Sequence, residues 1–299
     1  MAVSKYFTGT LYQRMSDDLH LAGMSERTHG GYLRAVRQLA DYCQASPDSI
    51  TEDGLRRFFL HLKNERHFAS GSMRVAFSGI KFFYTRTCRR DWQTLATMKI
   101  QNVQSLPEVL TVAQVHQIIQ ACTTQRMAVY FWTVYSMGLR LEEGLNLQVG
   151  DVDGTRRLVH VHRGKGAKDR YIPIPTSTLK GLRLYWSTHR NSRFLFPADG
   201  RNHTGMSTAT TPMSPTSAQG AMKLITKQID FGKKVSTHTL RHSYATHLLE
   251  AGLSLRVIQK YLGHSSLQTT LVYLHLTETA EVDARKTIET LFRQKPKQD

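Results

Sequence analysis

A stretch without hydrophobic periodicity, Lys99-Ile-Gln-Asn-Val-Gln-Ser-Leu-Pro107, parts two segments whose patterns differ, so the chain builds two domains rather than one. Upstream, apolar residues recur at helical spacing. Lys5–Leu21 fits a first helix, and Ser25 fits the N-cap of a second over Glu26–Gln44, with Leu33, Val36, Leu39 and Ala40 on one face. Pro47 breaks the chain, and Thr51-Glu52-Asp53 opens a third run, Leu55–Glu65, carrying Phe58, Phe59 and Leu62. A fourth, Ser72–Thr87, turns Val75, Ile80, Phe83 and Tyr84 inward among Arg74, Lys81 and Arg86, and Arg89-Arg90 follows. Four short helices of this kind make a compact bundle. The expected division is a helical domain over 1–98, a linker over 99–110 and a second domain over 111–299.

The second domain reads differently. Thr111 caps a helix over Val112–Ala121, and Met127–Ser136 is apolar on nearly every face, a buried helix ended by Gly138. The nearly apolar stretch Met127–Leu139 is 13 residues long and stops at Arg140, too short to span a bilayer. Beyond Gly150, Leu158–Arg163 and Arg170–Ile174 alternate on either side of Gly164-Lys165-Gly166-Ala167-Lys168-Asp169, the pattern of a β-hairpin. Asp199–Met213, rich in Ser, Thr and Gly, reads as a mobile loop. Ser214-Pro215 opens a helix to Gln228, Ser236 one ended by Gly252, Ser254 one ended by Gly263, and Ser266 a short helix containing Tyr273. Glu278–Phe292 then places Ala280, Ala284, Ile288 and Leu291 on one helical face. The fold class expected is mainly α with a small antiparallel β-sheet, an α+β protein.

Charge indicates the partner. Lys+Arg number 40 against 23 Asp+Glu, a net charge of +17. The excess is +6 over 1–106 (15 basic, 9 acidic) and +11 over the rest, so both domains offer basic faces. A polyanion, most simply a nucleic acid backbone, is the expected partner. Cys43, Cys88 and Cys122 stand in no CxxC spacing, which argues against a disulfide framework and a cysteine zinc site. The opening MAVSKYF has no apolar core of a signal peptide, and a cytoplasmic protein is expected.

Chemistry concentrates in His238-Thr-Leu-Arg241-His242, whose residues 238, 241 and 242 share one helix face. Two histidines at i, i+4 suit zinc, but the zinc-protease form needs Glu after the first, and Thr239 stands there with a cationic Arg on the same face. No metal is expected at this segment. On its own it is an ordinary capped helix. Downstream, however, come Leu262-Gly263-His264-Ser265-Ser266, Thr269-Thr270 and Tyr273, and upstream Gly138-Leu139-Arg140-Leu141-Glu142-Glu143 and Gly164-Lys165-Gly166.

With these residues in place the chain resembles the tyrosine recombinases, the phage-integrase family, whose pattern is Arg, Lys, His-x-x-Arg, His, Tyr. Arg140, Lys165, His238, Arg241, His264 and Tyr273 match it in order, and the likeness covers essentially the whole chain. Residues 1–98 look like the family's helical core-binding domain, with no separate arm-binding module ahead of it. The resemblance implies a site-specific recombinase acting on double-stranded DNA through a 3′-phosphotyrosyl link and a Holliday junction. It implies a homotetramer on DNA, a monomer or weak dimer when free, and no membrane partner. It also implies docking of Glu278–Phe292 on a neighbouring protomer.

The chemistry agrees. Breaking a phosphodiester without metal, cofactor or ATP needs cations, a nucleophile and a proton donor. Arg140 and Arg241 offer planar forks for the nonbridging oxygens, His238 a base for the tyrosine, and His264 a donor to phosphate. Lys165 serves as general acid and Tyr273 as nucleophile, with Glu143 orienting an arginine or histidine. Lys168 is the weaker lysine, and His242 is read as a core hydrogen-bonding residue. Arg74, Lys81, Arg86, Arg89 and Arg90 are the expected DNA contacts of the first domain. Two alternatives stand beside this reading: a type IB topoisomerase-like nicking-closing enzyme, and a non-catalytic DNA-binding regulator on the same fold.

Overall fold

Helix formation begins later than the periodicity predicts. Gly9 has φ +63° after an extended Thr8, so α1 spans Gly9–Leu21 rather than starting at Lys5. Ser25 caps α2 (Glu26–Cys43), its hydroxyl accepting from Thr28 N–H, and Thr51 caps α3 (Glu52–Asn64) through Gly54 N–H. The fourth run divides into α4 (Ser70–Phe82) and a π-helical turn over Phe83–Thr87. Its buried stripe is Met73, Ala76, Gly79, Ile80 and Phe83, so Val75 lies off it and is exposed, contrary to the sequence reading. A fifth helix, α5 (Gln93–Thr97), follows Trp92, whose ring packs 4.0 Å from that of Tyr84. Tyr84 is fully buried and donates to Pro47 O at 2.7 Å, tying the break between α2 and α3 to the bundle.

This computed structural model describes residues 4–100, 106–162, 169–200 and 205–274, and it divides into two units, Met1–Ser105 and Leu106–Asp299. Leu110, within the stretch read as linker, is fully buried in the second unit and donates its N–H to Ser243 Oγ at 2.9 Å.

In the second unit Thr111 caps α6 (Val112–Gln120) in a reciprocal box with Gln114. α7 (Gln125–Met137) runs through the core with Tyr130, Phe131, Val134 and Met137 fully buried, and ends on a left-handed Gly138. α8 (Leu141–Leu145) follows at once. The sheet has three antiparallel strands in the order β1 (Val152–Asp153), β2 (Leu158–Val161), β3 (Arg170–Pro173), one more than alternation indicates. The sequence reading also passed over α9 (Thr176–His189), which packs on α7. α10 (Pro215–Ile229), α11 (Thr237–Glu250), α12 (Leu255–Leu262) and α13 (Gln268–Leu271) complete the described chain. Tyr273 lies two residues past α13 rather than inside it.

The described part of the loop read as mobile is pinned. Asn191 Nδ2 donates to Met206 O at 2.8 Å and Ala209 O at 2.9 Å, and Met213 N–H bonds Phe196 O at 2.8 Å. A buried amide with several carbonyl partners fixes a polar loop as firmly as apolar packing would. Among the described residues no helix is long and apolar enough to cross a membrane.

Candidate active site

The end of α12 organises the site. Gly263 turns left-handed at φ +63°, so the last carbonyls of the helix lose their partners within it. Three in succession accept from three arginines: Tyr261 O from Arg170 Nε at 2.8 Å, Leu262 O from Arg241 Nη2 at 2.6 Å, and Gly263 O from Arg140 Nη2 at 3.4 Å. The negative end of the helix dipole thus faces three cations. A Cβ at position 263 would stand 2.9 Å from Arg170 Cδ, so glycine is needed there for space as well as for conformation.

Arg241, 2% exposed, also donates Nη1 to Gly138 O at 2.7 Å, at the C-terminus of α7. Burial, with the Arg140 charge next, lowers its pKa to about 9, so it stays cationic at neutral pH. Glu143 closes the group. Its carboxylate accepts from Arg140 N–H at 2.9 Å and Arg140 Nη1 at 2.7 Å. It takes Arg170 bidentately at 3.0 and 2.7 Å and stands 3.7 Å from Arg241 Nη1. Three guanidinium groups against one carboxylate leave two positive charges in excess.

Burial alone would raise the Glu143 carboxyl, but the hydrogen bonds and charge of Arg170, with those of Arg140, hold it down to about 2. Because the folded value lies below the ordinary 4.5, its stabilisation is fully present above pH 4.5 and is lost as pH falls through about 2. The loss should amount to about 3 kcal/mol over that window. Urea midpoints measured from pH 6 down to pH 2 should fall for the native chain, and Glu143→Gln should flatten that part of the curve.

Tyr273 is 1% exposed, its ring set among Ala245, Ile258 and Leu262. Its hydroxyl lies 2.9 Å from His242 Nδ1, and its ring stacks 6.5 Å from His264 at 12°. Burial raises the Tyr273 phenol, while the Arg241 and Arg140 charges oppose that rise. Burial also lowers the histidines: His242 to about 4, aided by His238 and Arg241, and His264 to about 3, aided by Arg241 and Arg140. Both are neutral at pH 7. His264 Nδ1 meets Thr270 Oγ1 at 2.9 Å, which fixes its ring. His238, one turn before His242, has its ring edge-on to that of His242 at 5.3 Å.

Arg140, Glu143, Arg241, His264, Tyr273 and His238 therefore come together. Lys165, with Lys168 and Glu278–Phe292, lies outside the described residues. Two members escaped the sequence reading. Arg170 opens β3 on the face of the buried Ile172 and Ile174, and a charge at an inward strand position was the available signal. His242, read as a core hydrogen-bonding residue, does form such a bond, but its partner is the Tyr273 hydroxyl, which its shared face with His238 could have indicated. In the first unit Arg74, Lys81, Arg86, Arg89 and Arg90 are all exposed, Arg90 also donating to Asp48 O at 2.5 Å.

The site is thus a buried tyrosine beside a cluster of arginines and neutral histidines on a mainly helical domain, and the comparisons agree with the family that the motif order resembles. Residues 108–280 match the phage integrase family and residues 11–94 its N-terminal SAM-like domain. The chain belongs to the phage integrase family. It is 33% identical to a candidate integrase/recombinase (y4qK) of Sinorhizobium fredii (strain NBRC 101917 / NGR234), over 96% of this chain and 91% of that one. It is also 33% identical to the tyrosine recombinase XerA of Thermococcus onnurineus (strain NA1), over 87% of this chain and 88% of that one. The Tn1549 transposon integrase, solved with transposon right end DNA, shares the fold with a TM-score of 0.70 at 18% identity, covering 96% of this chain and 100% of that one.

Proposed function

We propose that this protein is a site-specific DNA recombinase that cuts and rejoins strands through a 3′-phosphotyrosyl ester, without metal or ATP at the reacting phosphate. The observation carrying this reading is the Tyr273 hydroxyl, buried and held 2.9 Å from a neutral His242, beside a cluster with two excess positive charges. A phosphodiester carries one negative charge and its five-coordinate transition state about two, so the cluster is matched to the transition state. Tyr273 Oη attacks phosphorus and its proton passes to His242 Nδ1. Geometry favours His242 over His238 for this step. The 5′ oxygen leaves with a proton from Lys165. The reverse attack by a 5′ hydroxyl from another duplex regenerates Tyr273, so the ester conserves the bond energy and no nucleotide is spent. His264 and His238 serve the phosphate oxygens.

Four copies on two DNA sites would exchange strands in pairs through a Holliday junction. Arg74, Lys81, Arg86 and Arg89 supply exposed phosphate contacts, while Arg90 also braces the bundle. The names of the recombinase relatives and the DNA in the transposon-integrase structure support duplex DNA as partner.

A nicked suicide substrate tests the reading. Denaturant-resistant protein–DNA adduct should accumulate in EDTA and without ATP, and two-site substrates should yield a Holliday junction. Nicking-closing without that junction would favour the topoisomerase-like reading, and binding without adduct a regulator. A hundredfold loss on chelation, restored by Mg²⁺, would refute the metal-free step.

Lys165 is assigned by a second experiment. An alkoxide needs a proton as the P–O bond breaks, whereas a 5′-bridging sulfur leaves as a thiolate whose acid has a pKa of about 8.5. Sulfur at the scissile position should therefore largely rescue Lys165→Ala but not Arg140→Ala, and Lys168→Ala should be mild on either substrate. Rescue of Lys168→Ala alone would show the wrong lysine was chosen.

A further inference from the structure

A second cluster of donor side chains plays no part in the proposed strand exchange. Burial along β2 puts Val159 and Val161 in the core, leaving His160 and His162 on the opposite face. The ladder pairs His160 with Tyr171 and Val161 with Arg170, so the next facing pair is His162 with Asp169. A His-x-His strand and a carboxylate across from it thus present three donors on one face. His160 Nε2 lies 3.2 Å and His162 Nδ1 3.8 Å from Asp169 Oδ2, and the three donor atoms all fall within 4.8 Å of one another. Tetrahedral ligands at zinc distances stand about 3.3–3.6 Å apart, so side-chain adjustments of about 1 Å or less close the triangle.

The orientation of His162 is set from behind. Its Nε2 stands 2.6 Å from Asp151 Oδ1, and a carboxylate only accepts, so Nε2 carries a proton and Nδ1 is the ring nitrogen left to offer a lone pair to a metal. Asp151 is buried and fixed in turn, its Oδ2 accepting Gln148 N–H at 2.8 Å. This carboxylate–histidine arrangement is how proteins aim an imidazole at a metal. The His160 ring is braced against Tyr171, stacked at 4.6 Å and 13°.

We propose that His160, His162 and Asp169 hold a divalent transition-metal ion of the zinc class, with a fourth position open to water and Asp151 positioning His162. Two imidazoles and one carboxylate favour such an ion over magnesium or calcium. The ion would cross-link β2 to β3 at the end of their ladder. In sequence the cross-link flanks residues 163–168, which include Lys165. The inference does not rest on recombinase activity, and it assigns the ion a structural role outside the reacting phosphate.

Titration of the chelator-stripped full chain with Co²⁺ tests it. The wild type should bind cobalt with the intense visible absorption of four-coordinate sites, and Zn²⁺ should displace it. His160→Ala and His162→Ala should each remove one bound equivalent and its band. Asp151→Asn should keep the band while weakening affinity about 10–100-fold. His160→Ala, away from the core, decides the matter if Asp151→Asn fails to fold. No cobalt band, or a full equivalent surviving both histidine changes, would overturn the assignment. The first result would leave His–Asp ion pairs only, and the second would move the ion elsewhere, with His20, Glu26 and His29 of the first unit the next cluster of comparable spacing.

Discussion

Replacing Tyr273 with Phe should eliminate covalent adduct and strand exchange altogether while leaving duplex affinity within about twofold, because phosphate contacts dominate such an interface. The ring, 1% exposed among Ala245, Ile258 and Leu262, keeps its packing in the variant. Only the 2.9 Å hydrogen bond to His242 Nδ1 is lost, at a cost of about 1 kcal/mol in stability. Fold and binding therefore survive, and only the nucleophile disappears. The measurement is a denaturing gel of a suicide-substrate reaction beside a mobility-shift titration. Adduct persisting in the Phe variant would end the assignment. A companion change, His242→Gln, should slow cleavage by about 10²–10⁴, the range of general base catalysis, while leaving binding intact.

The second large effect concerns the carboxylate among the arginines. Among the described residues, Glu143→Gln removes the only negative side chain bonded to Arg140 and Arg170, and leaves buried guanidinium charge uncompensated. Breaking a buried ion pair from one side costs about 3–5 kcal/mol. The variant should unfold at markedly lower urea, and the folded fraction should cleave poorly because Arg140 loses its anchor. Arg170→Ala should relieve part of the damage, since it deletes a buried guanidinium charge that Glu143 held bidentately. Urea midpoints for the two single variants and the double variant measure that coupling. Strict additivity of the two losses would falsify the shared network.

Much of this fold was legible because helix caps are local chemistry. Ser25, Thr51, Thr111, Ser214 and Ser254 all accept the N–H bonds their positions predict, and Gly138 and Gly263 end helices in the left-handed conformation. The misses have non-local causes. Val75 is exposed because the tertiary partners of α4 choose a stripe that excludes it. α9 went unread despite burying Leu179, Leu182 and Tyr185, because its late leucines and polar residues give little contrast between faces. At the site, motif order picked out Arg140, Arg241, His264 and Tyr273, which the fold brings together. Arg170 and His242 stayed hidden since their roles depend on what stands opposite: Tyr261 O and Glu143 in one case, the Tyr273 hydroxyl in the other.

The three arginines bound to successive carbonyls at the end of α12 also bear on how the molecule reaches its native state. Those contacts join residues 140, 170 and 241 to 261–263, and two of them are long-range, spanning 123 and 91 residues of chain. Loop-closure entropy makes such long-range contacts late events in folding. The cations meet only when α12, β3 and the α7–α8 corner are all docked. An incompletely folded chain therefore carries the tyrosine without the assembled charge cluster. In native-state hydrogen exchange the amides at the end of α12 should open only with global unfolding of the second unit. On the proposed function, competence to cut DNA would thus be withheld until the domain is whole.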